Sequence, residues 1–145
     1  MYLTGMMLAV FFVAILGALF GAGIQLPGIS GQVRPDRLDQ SPPFDRLGVR
    51  ELGPGRYEVS MVAFIWGYTP NEIRVPAGST VTFRITSRDV THGFRVTDTT
   101  INTMLLPGQV SEFTYTFKKP GTYLFVCHEY CGIGHHTMFG RIIVQ

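Results

Sequence analysis

Residues 56–86 read RYEVSMVAFIWGYTPNEIRVPAGSTVTFRIT, and their alternation sets the fold class. Tyr57, Val59, Met61 and Ala63 alternate with Glu58 and Ser60, Ile73 and Val75 flank Arg74, and Val81, Phe83 and Ile85 alternate with Thr82, Arg84 and Thr86. A period of two carried by β-branched and aromatic side chains marks strands with one buried face. The pattern returns in Phe113, Tyr115 and Phe117 against Thr114 and Thr116, then in Tyr123–Val126 and Gly140–Val144. Pro76-Ala77-Gly78, Pro107-Gly108 and Lys118-Lys119-Pro120-Gly121 separate these runs as turns. Short strands at this spacing predict an all-β sandwich or barrel over residues 56–145, with no helical period after residue 56.

Upstream the composition changes twice. Residues 3–26, LTGMMLAVFFVAILGALFGAGIQL, are almost wholly apolar, and the first charged side chain is Arg34. A helix of about 20 residues spans the hydrocarbon core and satisfies its own backbone there. One transmembrane helix with its membrane exit is therefore expected over residues 1–33. The alternative is a secretory signal peptide, which would usually carry a basic leading segment and a shorter apolar stretch. Gly17, Gly21 and Gly23 either let a neighbouring helix approach closely or are the ordinary glycines of membrane helices. Residues 34–55 are rich in Pro and Gly, and Pro35, Pro42 and Pro43 oppose a regular helix or a central strand. They are expected to form a linker that wraps the domain.

The chain of 145 residues has 12 Lys and Arg against 10 Asp and Glu, a formal charge of +2. It has no basic cluster with interleaved aromatics, which excludes nucleic acid as a partner. A glycine-rich phosphate loop and a nucleophile elbow are also missing, so no catalytic residue is assigned.

Chemistry concentrates in Cys127-His-Glu-Tyr-Cys131-Gly-Ile-Gly-His135-His-Thr-Met138, a loop between two strand signals. Thiolate, imidazole and thioether together suit copper. A one-copper electron-transfer site uses two His, one Cys and a weak axial Met. Cys131, His135 and Met138 supply three of these, and His92, at a strand end, is the upstream candidate for the second imidazole. Cys127 is then left over. Two thiolates four apart can each bridge two coppers, with one His for each metal and Met138 and a backbone carbonyl as weak axial ligands. Sharing one unpaired electron over two metals lowers the geometry change on electron transfer.

Other readings stand beside this one. The cysteines could form a disulfide or, with two His, hold zinc, although the usual finger spacing is absent. His92 could be an ordinary strand-end histidine, and Met138 could be core. His128 and His136 are read as lying outside the ligand set, and the choice of His135 over His136 stays open.

The pattern Cys127-x-Glu129-x-Cys131-Gly-x-x-His135-x-x-Met138 with upstream His92 resembles the CuA motif of cytochrome c oxidase subunit II. The resemblance runs from about Trp66 to the C-terminus and includes TSRDVTHGF at residues 86–94 and Pro-Gly-Thr-Tyr before Cys127. A short chain with one helix looks most like the B-family, ba-type haem–copper oxidases of thermophilic prokaryotes. The resemblance implies a cupredoxin-like Greek-key barrel on the outer face of the plasma membrane. It also implies electron acceptance from a cytochrome c and transfer to haem in subunit I, where oxygen reduction is coupled to proton translocation. Carried over, Cys127 and Cys131 bridge a binuclear copper, His92 and His135 bind one ion each, Met138 is axial, and the Glu129 carbonyl is the other axial ligand. In A-family members the glutamate at this position also helps bind magnesium at the subunit interface, which raises a magnesium site at Glu129. No acid occurs before Asp36, so a proton path through the membrane helix would need another subunit.

The outer location rests on the copper chemistry, because Arg34 and Arg37 are offset by Asp36 and Asp39 and the positive-inside bias is weak. Phe64-Ile-Trp66-Gly-Tyr68 resembles the aromatic stretch beside CuA, and Trp66 and Tyr68 are expected at an exposed barrel end that receives the electron donor. The alternative for Trp66 is a core position. Two further function classes are weighed: a CuA module of a nitrous-oxide-type reductase, and a membrane-anchored copper relay or carrier.

Overall fold

A computed structural model describes residues 2–22 and 28–145. The elements are helix α1 (Tyr2–Ala22) and strands β1 (Gly28–Gln32), β2 (Gly48–Gly53), β3 (Arg56–Phe64), β4 (Gly67–Thr69), β5 (Glu72–Val75), β6 (Thr80–Ser87), β7 (His92–Val96), β8 (Asn102–Leu105), β9 (Gln109–Thr116), β10 (Gly121–Val126) and β11 (Phe139–Val144). Two short 3-10 helices, Pro35–Gln40 and His135–Thr137, complete the description. Tyr2–Gly21 is long and apolar enough to cross a membrane, with a mean hydropathy of 2.5. Gly17 and Gly21 lie within α1, whereas Gly23 and the end of the apolar run at Leu26 fall outside the described residues.

The strands form two sheets. One is six-stranded, ordered β1-β9-β6-β3-β2 with β4 paired to β3, and the other is five-stranded, ordered β5-β11-β10-β7-β8. β3 runs parallel to β6 and β5 parallel to β11, and the other pairs are antiparallel. The chain crosses repeatedly between the sheets, as a Greek-key sandwich requires. The alternation expected for β6 is realised, with Val81, Phe83 and Ile85 fully buried. Aromatic rings from both sheets fill the centre. Phe83 stacks on Phe113 at 5.1 Å within the first sheet, Phe94 tilts on Phe125 at 5.0 Å within the second, and Phe83 meets Phe94 across the interface at 6.1 Å.

Residues 34–55 differ from the expected linker. Leu38 and Phe44 do wrap the domain, packing on Val62 and Val110 over the outer face of the larger sheet. Gly48–Gly53, however, is edge strand β2, joined to β3 by a turn at Pro54-Gly55 in which Gly55 takes φ +67. Proline followed by a glycine at positive φ suits the two central positions of a type II turn. Exposed side chains occupy both faces of β2, so no apolar period announces it. An ion-pair row holds this edge: Arg50 meets Glu58 at 2.6 Å, Glu58 meets Arg84 at 3.4 Å, and Arg84 meets Glu112 at 3.2 Å.

Candidate metal centre

The site lies at one end of the smaller sheet. His92 opens β7, and Cys127 directly follows β10. These strands are neighbours, with Val126 opposite Arg95, so register alone brings the two ligand types together. The Gly93 amide donates to Cys127 Sγ at 3.3 Å. This close approach needs glycine at 93, because a Cβ there would lie 2.5 Å from the His128 ring and 2.7 Å from the His128 amide nitrogen.

Residues 127–138 form a loop closed at its neck by Cys127 N–H donating to Met138 O at 3.1 Å. Inside it the amides of His135, Thr137 and Met138 donate to the carbonyls of Gly132, Gly134 and His135 at 3.0–3.1 Å. The resulting turn aims His135 Nδ1 at Cys131 Sγ, 3.6 Å away, and sets Met138 Sδ 3.6 Å from the same sulfur. The Glu129 carbonyl lies 3.2 Å from Cys127 Sγ, while its carboxylate lies beside His128 at 3.7 Å. The two sulfurs are 3.9 Å apart and unbonded, which removes the disulfide reading from this structure. His136 is exposed, and His128 Nε2 meets the Thr103 carbonyl at 3.2 Å.

The residues fit a metal. His92, Cys127 and Cys131 are buried, and their ligand atoms lie within 4.8 Å of one another. Among the described residues, His92 Nδ1 is a buried nitrogen with no hydrogen-bond partner, on a side chain with 0% exposure. A buried polar atom without a partner costs free energy, and a cation among the sulfurs would satisfy it. Metal–thiolate bonds are about 2.3 Å, so an ion between sulfurs 3.9 Å apart can touch both. Burial, with Cys127 alongside, pushes the Cys131 thiol up to about 11. A metal must displace that proton to bind.

Around the ligands, three groups were not assigned from sequence. Asp89 Oδ1 accepts from His92 Nε2 at 2.8 Å. Burial works to raise the Asp89 carboxyl, but the bonds from His92, Ile65 and Val90 outweigh it and hold it below its ordinary value. Gly132 and Gly134 let Trp66 lie against the loop, since a Cβ at Gly134 would fall 2.5 Å from the indole. Asp89 stood inside the stretch 86–94 that carries the family resemblance, and its place three residues before His92 was the available signal.

Trp66 is 40% exposed and donates its indole N–H to the Cys131 carbonyl at 3.0 Å. Tyr68 departs from expectation. It is only 3% exposed, because the alternation of β4 turns it into the core, edge-on to Phe94 and Phe125. Its phenol donates to the Gly93 carbonyl at 2.5 Å, and burial raises its pKa well above the ordinary value. The exposed apolar surface beside the site is instead Ile65, Trp66, Tyr130 and Ile133.

Fold and ligand set together define a cupredoxin-like domain with a buried nitrogen–sulfur metal site. Residues 57–145 match the family described as cytochrome c oxidase subunit II, periplasmic domain. Over 126 residues the chain is 46% identical to a cytochrome c oxidase subunit 2 of Thermus thermophilus, covering 86% of this chain and 93% of that relative. It is 40% identical over 113 residues to a heme-copper oxidase subunit 2 of Aeropyrum pernix, covering 74% of this chain and 48% of the relative. A chain in the structure of a heme-copper terminal oxidase dimer superposes with a TM-score of 0.81 at 37% identity, covering 99% of this chain and 95% of that one. The periplasmic domain of cytochrome oxidase subunit II from Bradyrhizobium japonicum shares the fold, with a TM-score of 0.57 at 21% identity, over 61% of this chain and 83% of that one. The chain belongs to the cytochrome c oxidase subunit II family, which selects the oxidase subunit among the function classes weighed from sequence.

Proposed function

We propose that this chain is the electron-accepting subunit of a prokaryotic terminal oxidase. In this reading, the helix over Tyr2–Gly21 anchors it in the plasma membrane and the copper domain sits on the outer face; the anchor is shorter than the expected 1–33, because Gly28–Gln32 pairs with β9 as a strand of the larger sheet. Cys127, Cys131, His92 and His135, with Met138 and the Glu129 carbonyl beside them, would together hold a two-copper CuA centre. When bound, the centre supplies one-electron relay with little change of geometry. The carrying observation is the unpartnered Nδ1 of His92, buried beside two unbonded sulfurs. Donors this soft, with a thioether 3.6 Å from Cys131 Sγ, favour copper over zinc.

The chain's residues bind, orient and exclude water. Sheet register holds His92 and Cys127, the loop turn holds His135 and Met138, and Trp66 covers one side. A soluble cytochrome c would dock on the apolar rim of Ile65, Trp66 and Ile133, and the electron would leave toward haem in subunit I, where oxygen is reduced and protons are moved. The Glu129 carboxylate, which lies beside His128 at 3.7 Å, would offer oxygen to a magnesium ion at that subunit interface. A formal charge of +2 gives no strong acidic face to steer a basic donor, so the reaction should depend only weakly on salt.

The test is to purify the full chain from membranes and mix it with reduced cytochrome c in a stopped flow. It should arrive with a haem-containing partner and take up electrons. Ile133→Ser, at a side chain 83% exposed, should slow uptake about 3–10-fold with the copper spectrum intact. Isolation without haem, or reduction by cytochrome c that never occurs, would overturn the reading. An unchanged rate in Ile133→Ser would move docking off this rim.

A further inference from the structure

Asp89 lies in the bend between β6 and β7, and its neighbours fix that bend. The Arg88 amide donates to the Ala63 carbonyl at 2.9 Å, the Asp89 amide to Ser87 Oγ at 3.3 Å, and Ser87 Oγ to the Val90 carbonyl at 2.5 Å. The carboxylate is thus presented by the backbone, and both oxygens are used. Oδ1 accepts from His92 Nε2 at 2.8 Å and from the Val90 amide at 2.7 Å, and Oδ2 accepts from the Ile65 amide at 2.8 Å.

These bonds have two consequences. A carboxylate only accepts, so the proton of a neutral His92 sits on Nε2 and its lone pair on Nδ1, the buried atom left without a partner. The second oxygen holds the start of the turn that carries Trp66. That indole lies against Gly132 and Gly134 and donates to the Cys131 carbonyl. One carboxylate therefore touches the strand-borne ligand directly and the cysteine loop through one tryptophan.

We propose that Asp89 is a positioning residue that braces both halves of the site: it fixes the His92 tautomer that offers Nδ1 and pins the Trp66 turn against the ligand loop. The idea rests on His92 being a metal ligand, but the brace can be read without metal. Asp89→Ala removes both acceptors. Asp89→Asn keeps one oxygen, so its amide group must oppose either His92 Nε2–H or the Ile65 amide.

The experiment uses the full chain in detergent after copper is stripped, with two readouts. Nitrogen NMR of labelled histidine gives the His92 tautomer. Trp66 is the single tryptophan, so fluorescence reports its turn alone. The wild type should show the Nε2–H form and a shielded emission. Asp89→Ala should add the Nδ1–H form, shift the emission to the red and raise its quenching by acrylamide. Reloaded with copper, it should lose metal to a chelator about 10-fold or more faster. Asp89→Asn should move at least one of the metal-free readouts, which covers the case where Asp89→Ala fails to fold. Wild-type tautomer and wild-type emission in a folded Asp89 variant would overturn the brace. A wild-type chain that binds no copper would instead break the reading of the metal centre and leave the two metal-free readouts decisive for Asp89.

Discussion

The two halves of the metal site are built differently. His92 opens β7 and Cys127 directly follows the neighbouring strand β10, the two joined by the Gly93 amide to Cys127 Sγ at 3.3 Å, with His92 anchored by Asp89. Cys131, His135 and Met138 stand on a loop that rests on its own short turn, its neck bond and Trp66. The strand half is ordered by folding itself, whereas the loop half depends on few contacts and one bulky side chain.

The largest effect should come from the loop half. Cys131 sits 3.9 Å from Cys127 Sγ and 3.6 Å from both His135 Nδ1 and Met138 Sδ. Cys131→Ser should therefore abolish copper binding, as metal analysis would show. Retention of a full copper load would mean the sulfur does not bridge. The strand half is probed by Gly93→Ala, whose new methyl would meet His128 backbone and ring. Overpacking of this kind costs about 1–3 kcal/mol, so thermal denaturation should shift down by several degrees. An unchanged midpoint would show that His128 gives way freely and that the strand half is looser than its contacts imply.

Met138→Leu is a near volume-conserving change at a buried side chain and should cost less than about 1.5 kcal/mol. It should keep copper and shift the reduction potential, since an axial thioether tunes the metal more than it holds it. Copper loss as complete as in Cys131→Ser would make Met138 a principal ligand. The smallest effect is expected from Glu129→Gln, because the carbonyl faces Cys127 and the side chain faces away toward His128. The copper spectrum should be nearly unchanged, and loss of magnesium from the whole complex would mark the interface site. A collapsed spectrum would assign the carboxylate to the metal.

Much of this arrangement was legible in the sequence. β6 and β9 carry clear alternation, and the Cys127–Met138 spacing names a soft metal site without reference to shape. What escaped shows where local pattern fails. β2 exposes both faces, and β3 is buried on both, its outer side covered at Val62 by Leu38 and Phe44 and at Glu58 by Arg50 and Arg84. β2 follows no simple period, whereas β3 was legible from the alternation of Tyr57, Val59, Met61 and Ala63 and only the burial of its outer face escaped. Tyr68 read as exposed because it shares an aromatic stretch with Trp66, yet pairing of Ala63 with Tyr68 turns the ring inward. Asp89 showed only its place three residues before His92, and its second partner, the Ile65 amide 24 residues away, was not visible. Side chains that bind metal reveal themselves by type and spacing, whereas those that hold them in place appear only once the chain is folded.

The central claim is that the two halves close on a shared pair of coppers. Metal analysis combined with electron paramagnetic resonance of the purified oxidised chain tests it directly. Two coppers per chain and hyperfine coupling spread over two equivalent nuclei are expected. One copper per chain, with coupling to a single nucleus, would contradict it.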